Sequence, residues 1–99
     1  MPDTKRPAAV ATVQVDNDRV RVTEWRFAPG AATGWHRHEF DYVVVPLLNG
    51  RLRLKTREGD VVSALDAGSA YFREAGVEHD VINDGDSEFA FVETEIKSL

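Results

Sequence analysis

Cysteine is absent from this 99-residue chain, which removes disulfides, thiolate nucleophiles and zinc–thiolate sites together. Any bound metal must therefore use imidazole, carboxylate, phenol or water. No apolar run approaches the length of a membrane span, and the start, Met1 to Ala9, carries Asp3, Lys5 and Arg6 instead of the apolar stretch of a signal peptide. Together these absences point to the cytoplasm. Positive charge is in short supply as well: 12 Lys and Arg face 17 Asp and Glu, for a net charge of −5. A phosphate backbone or an anionic lipid surface would repel such a chain, so neither nucleic acid nor membrane is expected as a partner. Amphipathic helical periodicity, internal repeats and low-complexity runs are missing too.

What remains is an ordinary globular composition, 42% hydrophobic and 29% charged, in a chain too short for two hydrophobic cores. A mobile segment over residues 1–9 and a single domain over 10–99 are expected. Short apolar stretches separated by Gly, Pro, Asn and Asp read as strands, which makes the fold all-β, a sandwich or barrel. Arg19 to Val22 alternates with a period of two, but Trp25 and Phe27 fall on the opposite parity, and a bulge or change of sheet would explain that. Tyr42 to Leu48 is nearly all apolar, as for a strand covered on both faces. Asn49-Gly50 reads as a type I′ hairpin, since both residues tolerate positive φ.

The chain has three histidines, His36, His38 and His79. On an extended strand, His36 and His38 present both imidazoles to one face, where they can converge on one ion. Two solvated histidines beside Arg37 and Glu39 are the alternative that this spacing alone leaves open.

The wider pattern resembles the cupin family. Gly30, five residues, His36, one residue, His38, and Gly50 twelve positions on match its first motif. Gly68, Gly76, His79 and Asn83 match its second, with Glu74 in place of a proline. The seventeen residues between Gly50 and Gly68 correspond to the short intermotif stretch of a compact microbial cupin. The resemblance spans about Val20 to Val92 and implies a double-stranded β-helix, or jelly-roll, barrel. It also implies one divalent metal ion held by His36, His38 and His79 from strands that face each other, with iron(II) favoured and nickel, manganese, zinc or copper fitting the same donors. Most metal-binding cupins carry a glutamate that would fall here on Tyr42 or Val43. The Tyr42 phenol could bind the metal, hydrogen-bond a ligand or supply a proton, or simply fill the space the glutamate leaves.

Other candidates are Arg26 and Arg73, able to hold a substrate carboxylate, and Asn83, which equally suits a turn. Glu39 and Asp41 read as surface charges, and Glu93 and Glu95 as equally able to face solvent. Trp25, Tyr71, Phe72, Phe89 and Phe91 read as core rather than substrate wall. Residues 36–47 look most like small bacterial cupins associated with β-alanine degradation. A cation uncompensated by protein carboxylates would attract a small anionic or chelating molecule. The expected function is an iron(II)-type dioxygenase or a Lewis-acid catalyst acting on a small carboxylate or oxo acid. A non-catalytic metal-anchored binding protein is the alternative. Small cupins commonly pair through an N-terminal strand, so a homodimer is expected, with Thr12 to Val15 as the exchange element.

Overall fold

The structure, a computed structural model, describes residues 6–97. Among these, every regular element is a strand, and no helix is long and apolar enough to cross a membrane. The strands are β1 (Val10–Asp16), β2 (Val20–Phe27), β3 (His36–Arg37), β4 (Asp41–Pro46), β5 (Gly50–Thr56), β6 (Gly59–Leu65), β7 (Tyr71–Arg73), β8 (Glu78–Ile82) and β9 (Phe89–Ile96). They form one sheet of order β1-β2-β9-β4-β7 and a second of order β3-β8-β5-β6. Phe27, Val44, Phe89 and Phe91 from the first sheet pack with Leu52, Leu65 and Val81 from the second. The two inner faces thus share one core, as in the barrel that the resemblance implies.

Alternation sets which residues enter that core, because antiparallel partners lie on the same face of their sheet. Phe27 pairs with Phe89, Trp25 with Phe91, Thr23 with Glu93 and Arg21 with Glu95. Across β4 the rows continue as Phe91–Pro46, Glu93–Val44 and Glu95–Tyr42, and β7 adds Tyr71 beside Val44 and Arg73 beside Tyr42. Every one of these faces inward. Val20 and Val22 lie on the outer face, so their parity conflict with Trp25 and Phe27 needs no bulge in β2. The register shift falls on β1 instead, between Val13 and Val15.

Asn49-Gly50 is not a hairpin. It carries the chain from one sheet to the other: Asn49 Oδ1 accepts a hydrogen bond from the Ala67 amide at 2.8 Å, and Gly50 is the first residue of β5. Positive φ occurs at Gly30, Gly34, Gly59, Gly68 and Gly76, but not at Gly50. Glycine is required there for a different reason, since a Cβ would lie 2.7 Å from Phe89 Cδ1. Hairpins lie instead at the β1–β2 turn, where Asp16 pairs with Arg21, and at the β5–β6 turn, where Thr56 pairs with Gly59.

Nor is β4 covered on both faces. Tyr42, Val44 and Pro46 are buried, whereas Val43 and Val45 are half-exposed on the outer side. Pro46 is tolerated in a central strand because β7 has already ended, its last pairing being Val44 with Tyr71.

The chain start expected to be mobile lies outside the described residues over 1–5. From residue 6 onward the backbone docks on the loop before β3: the Ala32 amide donates to Pro7 O at 3.0 Å and the Ala9 amide to Ala32 O at 2.9 Å.

Candidate metal centre

The turn Thr33-Gly34 delivers the first histidine. Gly34 adopts φ +84°, a left-handed conformation natural to glycine, and its amide donates to Asp80 Oδ1 at 3.0 Å. Its carbonyl then faces His36 Nδ1 at 2.9 Å. A carbonyl only accepts, so Nδ1 carries the proton and His36 Nε2 presents a lone pair inward. His38 lies just past β3 and is tied to the β7–β8 turn by two backbone bonds, His38 N to Val77 O at 2.9 Å and Gly76 N to His38 O at 2.8 Å.

His79 stands on β8 directly opposite His36 in the antiparallel ladder. The two motif strands are therefore neighbours in one sheet, not strands facing each other across the barrel as expected. Direct pairing achieves the convergence more simply, since opposed residues share a face at short range.

The three rings meet edge to edge. Nε2 of His38 lies 3.1 Å from Nε2 of His36 and 3.1 Å from Nε2 of His79, and the three donor atoms all fall within 4.8 Å of one another. Burial, and secondarily the neighbouring His36, pushes the His38 imidazole down to about 4. Burial followed by His36, His38 and Arg73 pushes His79 down to about 3. Both rings are thus neutral near pH 7. Lone pairs crowded in this way repel unless something positive lies between them, because one Nε2 proton on His38 can serve only one neighbour.

A divalent ion resolves the arrangement. Two nitrogens about 2.1 Å from an ion and about 90° apart would be separated by about 3.0 Å, close to both observed spacings. The donor set therefore fits a metal, though imidazole alone does not choose which.

Tyr42 stacks on His38 with ring centroids 3.9 Å apart and planes 16° from parallel. Burial, and then the nearby Glu93, pushes the phenol above its ordinary range, so it is a neutral proton donor and not a phenolate. Glu39 is exposed, and Asp41 caps a turn by accepting from the Ala75 amide at 2.8 Å; neither belongs to the site. Asn83 is structural: its Nδ2 donates to Phe27 O and Ser87 O, and its Oδ1 accepts from Gly85 N. Arg26 lies on the outer face with Glu24 and Glu88.

Sequence reasoning left Glu93 and Glu95 open between site and solvent, and missed Arg21. Both glutamates are buried, at 8% and 9% exposure. Arg21 donates from Nε and Nη2 to the two Glu95 oxygens at 2.8 and 2.9 Å. Glu93 lies 4.0 Å from His38 Nδ1. Burial, and secondarily Glu95, pushes its carboxyl up to about 7, with Arg21 acting in the opposite direction. The signal was in β9, where Phe89, Phe91, Glu93 and Glu95 share one parity.

All of these groups line one cavity of about 390 Å³ with apolar walls that include Leu52, Val81 and Phe91. Trp25 and Tyr71 also line it while packing on the core, and Phe89 and Phe91 are core. Phe72 is neither: it sits opposite Val43 on the outer face and is 50% exposed.

Comparison with known proteins agrees with this geometry. The sequence pattern of the Cupin domain family matches residues 23–95. The chain is 68% identical to the β-alanine degradation protein BauB of Pseudomonas aeruginosa over 92 residues, covering 93% of this chain and 97% of that protein. Among solved structures it is similar to a cupin domain protein from Bordetella pertussis, with a TM-score of 0.94 and 61% identity over 97% of this chain and all of the other. It also shares its fold with the polyketide cyclase RemF of Streptomyces resistomycificus, at a TM-score of 0.72 and 20% identity over 96% of this chain and 71% of the other.

Proposed function

This chain belongs to the cupin family, and from that premise we propose that it is a metal-dependent enzyme acting on a small carboxylate or 3-oxo acid. The observation that carries this reading is the convergence of three imidazole nitrogens in a cavity, with His38 Nε2 3.1 Å from each of the other two. His36, His38 and His79 would hold the ion, iron(II) in the first instance. Such an ion supplies Lewis acidity toward substrate oxygens and, as iron(II), the means to activate oxygen.

The protein side of the chemistry follows from charge and protonation. Three imidazoles bring no negative charge, so an anionic substrate meets no carboxylate repulsion at the ligand atoms. Tyr42, kept protonated by burial, offers a hydrogen bond from its phenol oxygen beside His38. Glu93, the one carboxylate of this lining not held by an arginine, supplies the general base: its carboxyl, pushed up to about 7, is suited to moving a proton in either direction near neutral pH. The name of the relative from Pseudomonas aeruginosa supports the substrate class, since transamination of β-alanine, with the amino group passed to a 2-oxo acid, leaves a three-carbon 3-oxo acid.

Metal analysis after anaerobic loading, followed by assay with small 3-oxo acids with and without oxygen, tests the reading. About one ion per chain, lost in His79→Ala, together with turnover is expected. Metal retention with no turnover on any 3-oxo acid would overturn the enzymatic reading and leave a metal-anchored binding protein. Absence of metal would overturn both.

The chain is further proposed to act as a homodimer. All seven residues of β1 are exposed, Val10 by 62%, Val13 by 55% and Val15 by 44%, and no lysine or proline protects this sheet edge. The outer row Val15, Val22, Thr94, Val43 and Phe72 continues the apolar surface across the sheet. Light scattering should give twice the chain mass; a monomer at micromolar concentration would refute the pairing.

A further inference from the structure

The cavity wall is unevenly neutralised: besides Glu93, one further charged side chain of the wall lacks an ion-pair partner among the described residues. Arg21 is satisfied by both oxygens of Glu95. Glu78 is held by Arg57, with Nε and Nη2 donating at 3.1 Å each. Arg73, on the same wall, has no acidic partner among the described residues. Its Nη1 donates to Phe72 O at 2.9 Å, and its guanidinium carbon lies 4.6 Å from the centre of the Tyr71 ring.

Register fixes where Arg73 stands. It pairs with Tyr42 across β4 and β7, and the Tyr42 ring stacks on His38, one of the three convergent rings. Tyr71, paired with Val44, shares the inward face and supplies the surface on which the guanidinium rests. An exposed strand arginine ordinarily extends into water or meets an acidic neighbour. This one is folded over an aromatic ring at the wall of a cavity, with Nε and Nη2 making no hydrogen bond among the described residues.

We propose that Arg73, braced on Tyr71, receives the carboxylate of a small monocarboxylic acid whose other oxygen-bearing end reaches the three imidazoles. Guanidinium is suited to this task because its planar fork matches a carboxylate with two parallel hydrogen bonds. The ligand carries one carboxylate on this wall and not two, since the other arginine, Arg21, is already neutralised by Glu95. The inference rests on the proposed metal site only for where the far end of the ligand lies. Arg73 is thus the specificity-determining residue, separating acids from their neutral analogues.

The test titrates metal-free and zinc-loaded protein with 3-hydroxypropanoate and with 3-hydroxypropanamide, following backbone amide NMR shifts. The acid should bind about tenfold or more tightly than the amide. Arg73→Met should abolish that preference, Arg73→Lys should retain part of it, and Arg26→Met on the outer face should leave it intact. An unchanged amide spectrum away from the cavity verifies that the variants are folded. Equal binding of acid and amide by the parent, or a preference within twofold of the parent in Arg73→Met, would overturn the proposal. Failure of the metal reading has a different appearance: zinc is not retained, yet the preference in the metal-free protein still follows Arg73. Zinc retained with a preference indifferent to Arg73 sinks this inference alone.

Discussion

The inner face of the five-stranded sheet has two ends built from the same strands at the same parity, with opposite chemistry. At one end Phe27, Phe89 and Phe91 pack with tilted rings, the first two almost without solvent contact and Phe27 5.6 Å from Phe91. At the other, Arg21, Glu95, Tyr42 and Arg73 form a row across four strands, with Glu93 one step behind. The pairing of β9 with β2 and with β4 continues unchanged from one end to the other. A sheet therefore dictates which residues face inward but not what those residues must be, and one half of a barrel can hold the fold while the other carries charge into a cavity.

The division makes unequal demands on stability, and a pair of substitutions tests it at its widest. Phe27→Ala removes a ring that is 0% exposed and packs against Phe91, and should cost about 3–5 kcal/mol. His79→Ala removes a ring of intermediate size that already borders a cavity and whose lone pair is crowded by His38. In metal-free protein it should change stability by less than about 1 kcal/mol. Urea unfolding of both variants at pH 7 measures the contrast. Comparable losses would mean that the polar end contributes to the fold as much as the aromatic end does.

The same division explains which features were legible in the sequence. Strand positions, the turns and the three histidines can be read because alternation and spacing are local properties. At the polar end the alternation misleads: Val20 and Val22 point outward while Arg21 and Thr23 point inward, so a reader who follows hydrophobicity assigns the wrong face. Glu93 and Glu95 fail for the same reason, since charged residues at a strand end are usually solvated. The ion-pair partner of Glu95, Arg21, is 74 positions away, and no local pattern links them. Gly50 was misread through a third route. Asn-Gly favours a hairpin on backbone preference, but here Phe89, 39 residues later, is what excludes a side chain.

Titration sharpens the comparison on a smaller scale, because the polar end holds groups displaced in opposite directions. His38 and His79 sit below the ordinary imidazole value. The unfolded chain then binds more protons, and metal-free protein loses stability as pH falls below about 6.5, by about 2 kcal/mol per ring at pH 5. Glu93 sits above its ordinary value. The folded state binds its proton more tightly, and stability is lost as pH rises from about 4.5 through about 7. Between pH 8 and pH 5 the two effects oppose each other, so the wild-type profile should be shallow. Glu93→Gln removes only the carboxyl contribution. It should raise stability at pH 8 by about 2 kcal/mol and steepen the loss on acidification, since the imidazoles are then unopposed. Urea midpoints of metal-free protein at pH 8, 6.5 and 5 read both effects. A Glu93→Gln profile parallel to that of the parent would mean that the carboxyl titrates as it does in water, and Glu93 would then lose its role as the group that moves a proton near pH 7.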